Sequence, residues 1–401
     1  MLLLAPARSY RTADFMLAAT TMGLDLTVAS DGALPAGDRP VIPVRPGDPD
    51  HAAERIISRC GPVDAVVAAD TPMLLLAAAV ASRLGLPHNP AAAVLAAAGK
   101  TRQRRLWAAA GVPQPRFEII PAHARGDAIR QAAAATGLPC VIKAVSLSAS
   151  QGVLRADDAT QAVQAALRIR RVLSAAGQNA TGPLLAEEYM PGPELSIDGL
   201  LSGGTLTPLA IFDKPATPQG PTFEETLLVT PSRLPRHVAA DAVRTAGRAA
   251  RALGLRTGPV HAELRVTPAG PAMLELAARS IGGLCSRALR FPGGKSLEEL
   301  ILANALGEPP PSRSQPIARP SGVFMLPVPR AGVLRAVQGR ADAEAVPGIT
   351  GVTITIPRGR RVRPLPDGDQ YLGFVFAEAA TPDQVEKALT TASQRLHAII
   401  E

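Results

Sequence analysis

Two neighbouring apolar segments of the chain carry carboxylates among residues that would otherwise be buried. The first, PVHAELRV, spans residues 259–266 and contains Glu263, and the second, GPAMLELAARSIGG, spans residues 270–283 and contains Glu275. The alternation of side chains in both segments predicts two β-strands, and the Thr-Pro-Ala-Gly sequence that joins them predicts a hairpin turn. Whether the two carboxylates meet depends on the length of that turn.

A three-residue loop of Pro268, Ala269 and Gly270, with Gly270 in a left-handed conformation, would centre the hairpin on Ala269. Glu263 and Glu275 are equally distant from Ala269 in the sequence. This loop therefore places them opposite each other on one face, whereas a loop of two or four residues would place them on opposite faces. Opposed carboxylates repel unless a cation lies between them, and oxygen ligands with few protein contacts suit Mg²⁺. A solvated hairpin face with salt-bridged charges is the alternative.

Two further side chains on this hairpin extend the same chemistry. Arg279 follows the second strand on the face of Glu275, where a guanidinium could hold a phosphate. His261 precedes Glu263 by two residues and shares its face. Arg265 follows Glu263 by two residues on the same face, so the hairpin carries two acidic groups and three groups that could carry positive charge.

Lysine is rare in this chain, and this makes each lysine worth considering. Of the 42 basic residues only five are lysines, namely Lys100, Lys143, Lys214, Lys295 and Lys387. A lysine ammonium makes a compact contact with a phosphate that a planar guanidinium does not reproduce. Lys143 ends the predicted strand PCVIK and precedes a loop of small polar residues, SLSASQGV, whose backbone amides could approach a phosphate chain.

The segment LLAEEYMPGPELSID combines acidic and apolar side chains around a predicted turn. Glu187 followed by Met190 would suit the edge and the face of a purine, and Glu194 could bind the hydroxyls of a ribose. An exposed acidic turn is the alternative interpretation.

Composition limits the classes of function. The chain has 401 residues, a net charge of +8 and 3% aromatic residues, and its arginines are scattered, so we predict no nucleic-acid site. Its three cysteines lack metal-type spacing and indicate reduced thiols. The apolar start is too short for a signal peptide, and the longest apolar run is far below a membrane span. We therefore expect a cytoplasmic protein with no membrane partner.

The first hundred residues alternate between strand and helix patterns, which predicts a doubly wound parallel sheet. The turn after the first strand, APARSYRT, lacks the glycines of a dinucleotide-binding motif, so a dehydrogenase is not indicated. A helical stretch then runs from Asn89 through Trp107, and residues 116–186 have the pattern of a small α+β lobe. A proline-rich segment at 307–322 marks a linker or boundary, and a helix over 382–400 closes the chain.

From about Leu84 to Gly307 the chain resembles an ATP-grasp enzyme. The resemblance rests on five segments in family order and spacing, which are AAGKTRQRRLWAAAGVPQP, PCVIKAVSLSASQGV, LLAEEYMPGPELSIDG, HAELRV and MLELAARSIGG. The form of the last two is most similar to the branch that contains L-amino-acid ligases, which are dipeptide synthetases. Two departures are Ala277, where many relatives have an asparagine metal ligand, and a phosphate loop rich in serine where relatives are rich in glycine.

The resemblance implies an α/β architecture in three parts. A preATP-grasp domain with a doubly wound parallel sheet would be followed by a two-lobed α+β ATP-grasp domain and a C-terminal α+β subdomain. The implied bounds are 1–98 for the first, 99–317 for the second with its small lobe at about 115–186, and 318–401 for the third.

The resemblance also implies roles for nine residues. Lys100 and Lys143 would contact the phosphates of ATP. Glu187 and the backbone of Met190 would bind adenine, and Glu194 the ribose. Glu263 and Glu275 would hold Mg²⁺. Arg279 would steady the transferred phosphoryl group, and His261 would lie beside it.

The implied reaction is ATP- and Mg²⁺-dependent ligation of a carboxylate to an amine through an acyl phosphate, with amino-acid-type substrates. A site of Lys, Arg and Glu without a nucleophilic Ser or Cys matches such a transfer. The alternatives are a carboxylation like that of biotin carboxylase, which would need a separate biotin carrier, and a non-catalytic ATP-binding protein. The family commonly forms dimers, so a homodimer is also an expectation.

Overall fold

The computed structural model describes residues 1–401 except 35, 36, 38, 40, 216–219 and 312–318. Residues 312–318 of the proline-rich segment predicted at 307–322 therefore lie outside the described residues. The predicted domain boundary at 317/318 lies there too, and the domain limits stay a prediction.

The first part of the chain forms the predicted doubly wound parallel sheet. Its strands lie in the order β3-β2-β1-β4, all parallel. Leu2 and Leu4 pack on one face of the sheet, while Leu3 and Ala5 pack on the other, as expected when both faces are covered. The elements are β1 (Leu2–Ala5), α1 (Thr12–Thr21), β2 (Thr27–Ser30), β3 (Val41–Pro43), α2 (Pro49–Cys60), β4 (Val66–Ala68) and α3 (Leu74–Arg83).

The helical stretch predicted from Asn89 is two helices. These are α4 (Ala91–Ala98) and α5 (Lys100–Ala109), and they meet at Gly99, whose backbone is extended with φ −115° and ψ 108°. The prediction of one continuous stretch was wrong because Gly99 readily leaves the helical conformation. The break lets α5 start a new direction with Lys100 at its first position.

The small lobe is an antiparallel sheet with two helices packed on it. The strand order is β5-β8-β6-β7, and the core lies between the sheet and the helices, with Ile142 and Ile169 fully buried. The elements are β5 (Phe117–Ile120), α6 (Gly126–Thr136), β6 (Cys140–Ala144), β7 (Val153–Ala156), α7 (Ala159–Ala175) and β8 (Leu184–Glu188).

A large sheet of eight strands forms the other side of the site. Its order is β13-β12-β9-β10-β11-β14-β18-β16, so strands from both sides of the predicted 317/318 boundary share one sheet. The elements are β9 (Glu194–Ser202), β10 (Thr205–Asp213), β11 (Leu227–Thr230), α8 (Arg236–Ala252), β12 (Gly258–Thr267), β13 (Gly270–Ala277), α9 (Leu297–Ala305), β14 (Ser321–Leu326), β16 (Ile349–Ile354) and β18 (Gly373–Glu378).

The end of the chain differs from the predicted helix over 382–400. The helix α11 ends at Ser393, and the last residues form β19 (His397–Ile400), antiparallel to β15 (Gly332–Gln338). Ile400 is buried in the core of this subdomain, so the terminal residues pack as an edge strand. The other elements are α10 (Arg340–Glu344), β17 (Arg361–Val362) and α11 (Pro382–Ser393). Among the described residues, no helix has the length and apolar character needed to cross a membrane.

Candidate active site

All nine residues that the sequence singles out line one cavity of about 460 Å³. The wall of the cavity comes from the carboxyl edge of the parallel sheet, the small lobe, the large sheet and the C-terminal subdomain. Lys214 lines it as well. Together with Lys100 and Lys143, which are two of the nine, it brings three of the five lysines of the chain into one cavity.

The β12–β13 hairpin brings Glu263 opposite Glu275, as predicted, but by a different route. Thr267 pairs with Gly270, so the loop has two residues, and the predicted three-residue loop was wrong. A register shift follows, because Leu264 pairs with Met273 and Glu263 with Glu275. Leu274 is therefore an extra residue, a β-bulge, and it restores the facing of the two carboxylates that a two-residue loop alone would remove.

Helix α5 holds this bulge in place. Arg104 donates hydrogen bonds to the carbonyl oxygens of Met273 at 3.2 Å and Leu274 at 2.7 Å. Gln103 donates to the carbonyl of Leu276 at 2.8 Å and accepts from its amide at 3.1 Å. β13 is the edge strand of the large sheet, so side chains of one helix thus satisfy backbone groups on its free edge at and next to the bulge.

Each facing carboxylate has its own cation. The Lys100 ammonium lies 3.0 Å from Glu275, and it also donates to the carbonyl of Leu147 in the β6–β7 loop. Glu263 lies 3.3 Å from the Nε2 atom of His261 and 3.5 Å from the Lys214 ammonium. Burial acts to raise the pKa of Glu263, but Lys214 and His261 outweigh it and hold that pKa well below its ordinary value.

His261 lies between two carboxylates. Its Nδ1 atom is 3.0 Å from Asp198, a fully buried residue on β9, and its other nitrogen faces Glu263. Burial acts to lower the pKa of His261, but Asp198 and Glu263 raise it to about 9. The imidazolium therefore donates from both nitrogens at neutral pH. Asp198 also accepts a 2.7 Å hydrogen bond from the amide of Ile281.

Glu187 is buried between two cations. Its carboxylate lies 2.6 Å from Arg104 on one side and 2.6 Å from Lys143 on the other. Both Glu187 and Arg104 are 2% exposed. Burial acts to raise the pKa of Glu187, but the two cations lower it to about 2. Arg104 was missed by sequence reasoning, although it follows Lys100 by four residues and so lies on the same helix face.

Glu194 belongs to a second charged cluster. It pairs with Arg265 at 2.9 Å and with Lys214 at 2.9 Å. Lys214 also pairs with Glu225, and together these carboxylates hold the pKa of Lys214 well above its ordinary value even though burial acts to lower it. The backbone carbonyl of Met190 accepts a 3.0 Å hydrogen bond from Arg265.

Arg279 lies just beyond the end of β13 and contacts the first domain. Its guanidinium donates to Thr71 at 3.1 Å and lies 3.5 Å from Asp70, at the carboxyl edge of the parallel sheet. It also donates to the carbonyl of Ser280 at 2.7 Å.

The β6–β7 loop contacts the C-terminal subdomain, since Gln151 donates to the carbonyl of Asp367 at 3.2 Å.

Two segments of the chain match known protein families. Residues 136–288 match the model of an ATP-grasp domain, and residues 324–401 match that of the L-amino acid ligase C-terminal domain 2. This chain contains an ATP-grasp domain. That domain spans β6 to the segment after β13, and the strands and loops that carry eight of the nine predicted residues lie within it.

Individual relatives agree with these matches. The chain is 34% identical over 283 residues to carnosine synthase 1 of Gallus gallus, covering 66% of this chain and 30% of that protein. It is 33% identical over 205 residues to a D-alanine–D-alanine ligase of Gloeobacter violaceus, covering 48% and 63%. The chain thus spans less than two thirds of the length of either relative. The crystal structure of an L-amino acid ligase from Bacillus licheniformis has the same fold, with a TM-score of 0.81, 24% identity and coverage of 100% and 98%.

The Arg104–Glu187 pair predicts a large stability effect. Arg104→Gln should lower the free energy of unfolding by about 3–5 kcal/mol, because the buried Glu187 carboxylate loses one of its two cationic partners and the bulge carbonyls lose their charged donor. Chemical denaturation would measure the change. Arg105→Gln is the matched control, since Arg105 is its exposed neighbour on α5, and it should change stability by less than about 0.5 kcal/mol. Equal effects of the two substitutions would contradict this account of the pair.

Asp198 predicts the charge state of His261. In the protein free of metal and nucleotide, Asp198→Asn should lower the pKa of His261 from about 9 toward its ordinary value of about 6.5. Because the folded-state pKa is raised, the stabilisation from the charged imidazole is present below about pH 6.5 and is lost as pH rises through about 9. NMR titration of the His261 ring would measure this. The exposed change Asp127→Asn is the control, and a His261 that still titrates near 9 in Asp198→Asn would show that Asp198 does not set its charge.

Proposed function

We propose that this chain is an ATP- and Mg²⁺-dependent ligase that joins a carboxylate to an amine, with amino acids as substrates. The observation that carries the proposal is the single cavity in which the facing pair Glu263 and Glu275, three lysines and Arg279 converge. The ATP-grasp and L-amino acid ligase matches support the reaction class.

The nucleotide would lie between the small lobe and the large sheet. Lys100 and Lys143 would contact its phosphates, since both ammonium groups line the cavity beside the β6–β7 loop. The sequence resemblance implies that Glu187 binds adenine, but both of its oxygens already face cations, so we propose instead that it positions Lys143 for its phosphate contact. The backbone of Met190 would bind the adenine edge, and Glu194, held by Arg265, would bind the ribose.

Glu263 and Glu275 fit a divalent metal in donor type and placement. They are carboxylates facing across two strands, and their present partners are cationic groups that offset the same charge repulsion. When bound, Mg²⁺ would neutralise the charge of the nucleotide phosphates. His261, fixed by Asp198, would orient Glu263 toward the ion, in the way that groups behind a metal ligand usually do.

The chain's own residues would then promote transfer by position and charge. A substrate carboxylate oxygen would attack the γ-phosphorus of ATP as the bond to ADP breaks, giving an acyl phosphate. An amine nitrogen would next attack the carbonyl carbon, releasing phosphate and losing a proton. Arg279, which lines the cavity, would stabilise the phosphoryl charge in both steps, and charge stabilisation of this kind is the main contribution that such sites make.

Sequence relatives favour amino-acid substrates over the alternatives. The relatives include a D-alanine–D-alanine ligase and an alanine–anticapsin ligase of Bacillus subtilis, which is 27% identical over 237 residues. The fold alone does not discriminate, because a biotin carboxylase of Campylobacter jejuni also superposes with a TM-score of 0.70. A homodimer and a cytoplasmic location remain expectations.

The proposed reaction predicts ADP release that depends on an amino acid. Purified protein with ATP and Mg²⁺ should release ADP and phosphate only when amino acids are added, and mass spectrometry should show a dipeptide-like product. Chelation of Mg²⁺ should abolish the release. Release that depends on bicarbonate would favour a carboxylase, and tight ATP binding without any turnover would favour a regulatory protein.

The metal assignment predicts a severe effect of one carboxylate. Glu275→Gln should lower kcat by roughly 10²–10³-fold, because it removes a charged ligand while preserving size. A thermal melt should show that the variant is folded. The control is Glu118→Gln, at an exposed position on β5 that does not line the cavity, and it should keep full activity. Undiminished turnover of Glu275→Gln would overturn the metal assignment.

A further inference from the structure

Aromatic side chains concentrate in the cavity although the chain has few of them. Aromatic residues are 3% of the sequence, yet all three tyrosines, Tyr10, Tyr189 and Tyr371, line the cavity. Tyr10 and Tyr371 surround Phe374, with ring centroids at 6.1 Å and 6.4 Å from it. Tyr10 comes from the first domain, whereas Tyr371 and Phe374 come from the C-terminal subdomain, so this wall is assembled from two distant parts of the chain.

Apolar side chains complete a compartment around this wall. Leu228, Met325 and Cys285 are buried and line the same cavity. Burial raises the pKa of the Cys285 thiol far above its ordinary value, so it stays neutral and behaves as a small apolar group. The compartment therefore has aromatic and aliphatic walls, with a neutral thiol at one side.

The compartment begins beside the phosphoryl-binding arginine. A Cβ atom on Gly282 would lie 3.7 Å from the Arg279 guanidinium, whereas a Cβ atom on the next residue, Gly283, would lie 2.7 Å from the ring of Phe374. Gly282 thus lies next to the Arg279 guanidinium, and Gly283 lies next to the aromatic ring of Phe374. Gly283 has a φ of 60° and no space for a side chain, so the backbone can pass closely between the two.

We propose that this compartment, defined by Tyr10, Tyr371, Phe374, Leu228, Met325 and Cys285, binds the apolar side chain of an amino-acid substrate. This proposal rests on the proposed function, since the carboxylate of that amino acid would lie at Arg279. Glu225 and Lys214 line the cavity and pair with each other, and Asp369, two residues before Tyr371, also lines it. A charged substrate side chain would lose its hydration against the aromatic and aliphatic walls, and this is unfavourable.

Direct binding tests the compartment without requiring turnover. Calorimetry with Mg²⁺ and a non-hydrolysable ATP analogue would compare L-leucine, L-methionine and L-phenylalanine with L-aspartate and L-lysine. The apolar amino acids should bind at least ~10-fold more tightly. Equal or tighter binding of the charged amino acids, or no binding of the apolar ones, would overturn the proposal.

Two phenylalanines of one strand provide a matched pair of variants. Phe374→Leu should weaken binding of the favoured apolar amino acid by about 10-fold and leave binding of the ATP analogue unchanged. Phe376→Leu changes a buried ring on the same strand that does not line the cavity, and it should leave amino-acid binding unchanged. If both variants weakened amino-acid binding equally, the effect would be structural and the compartment would not be the binding site.

The two proposals fail in different ways. Apolar amino acids that bind but release no ADP would contradict the ligase and leave the compartment in place. ADP release that only charged amino acids stimulate would support the ligase and overturn the compartment.

Discussion

The repulsion between two facing carboxylates is the constraint on which the rest of the site depends. Glu263 and Glu275 pair across neighbouring strands, where like charges oppose folding. The protein offsets this repulsion with Lys100 on one side and with His261 and Lys214 on the other. Each of these cations comes from a different element, namely α5, β12 itself and the segment after β10, so the pair can persist only when three parts of the fold are assembled around it.

Helix α5 joins this pair to the small-lobe side of the cavity, where Glu187 and Lys143 lie. Arg104 donates to the bulge carbonyls on β13 and to Glu187 on β8, and Glu187 in turn holds Lys143 on β6. One buried guanidinium therefore connects the small lobe to the β12–β13 hairpin. Because Arg104 and Glu187 are both almost fully buried, their contacts are strong and geometrically restrictive, which explains how a two-residue loop with an irregular ladder still yields a defined register.

Sequence patterns predicted which residues line the site better than they predicted the contacts between those residues. Alternation predicted the hairpin and the facing of Glu263 with Glu275, but it could not show the bulge at Leu274, because a bulge and a longer loop give the same spacing. The rarity of lysine directed attention to Lys143. Sequence patterns did not identify Arg104, because it lies among several arginines on α5 and only tertiary contacts distinguish the one that is buried. The closing strand β19 was missed because its partner, β15, is distant in sequence.

Asp198 shows the same signal that revealed Glu263, which is a carboxylate within an apolar strand, and the structure gives it a coupling role. Its two oxygens contact His261 and the amide of Ile281, so one buried group fixes both the support of Glu263 and the backbone that follows Arg279. Buried Arg11 of the first domain donates to the carbonyl and the hydroxyl of Ser280, the residue before Ile281. The matched ATP-grasp segment, 136–288, contains neither Arg11 nor the α5 residues Lys100 and Arg104. The segment alone would lack the Lys100 ammonium that pairs with Glu275 and the Arg104 guanidinium that contacts Glu187 and the bulge carbonyls, so the site belongs to the whole assembly of domains.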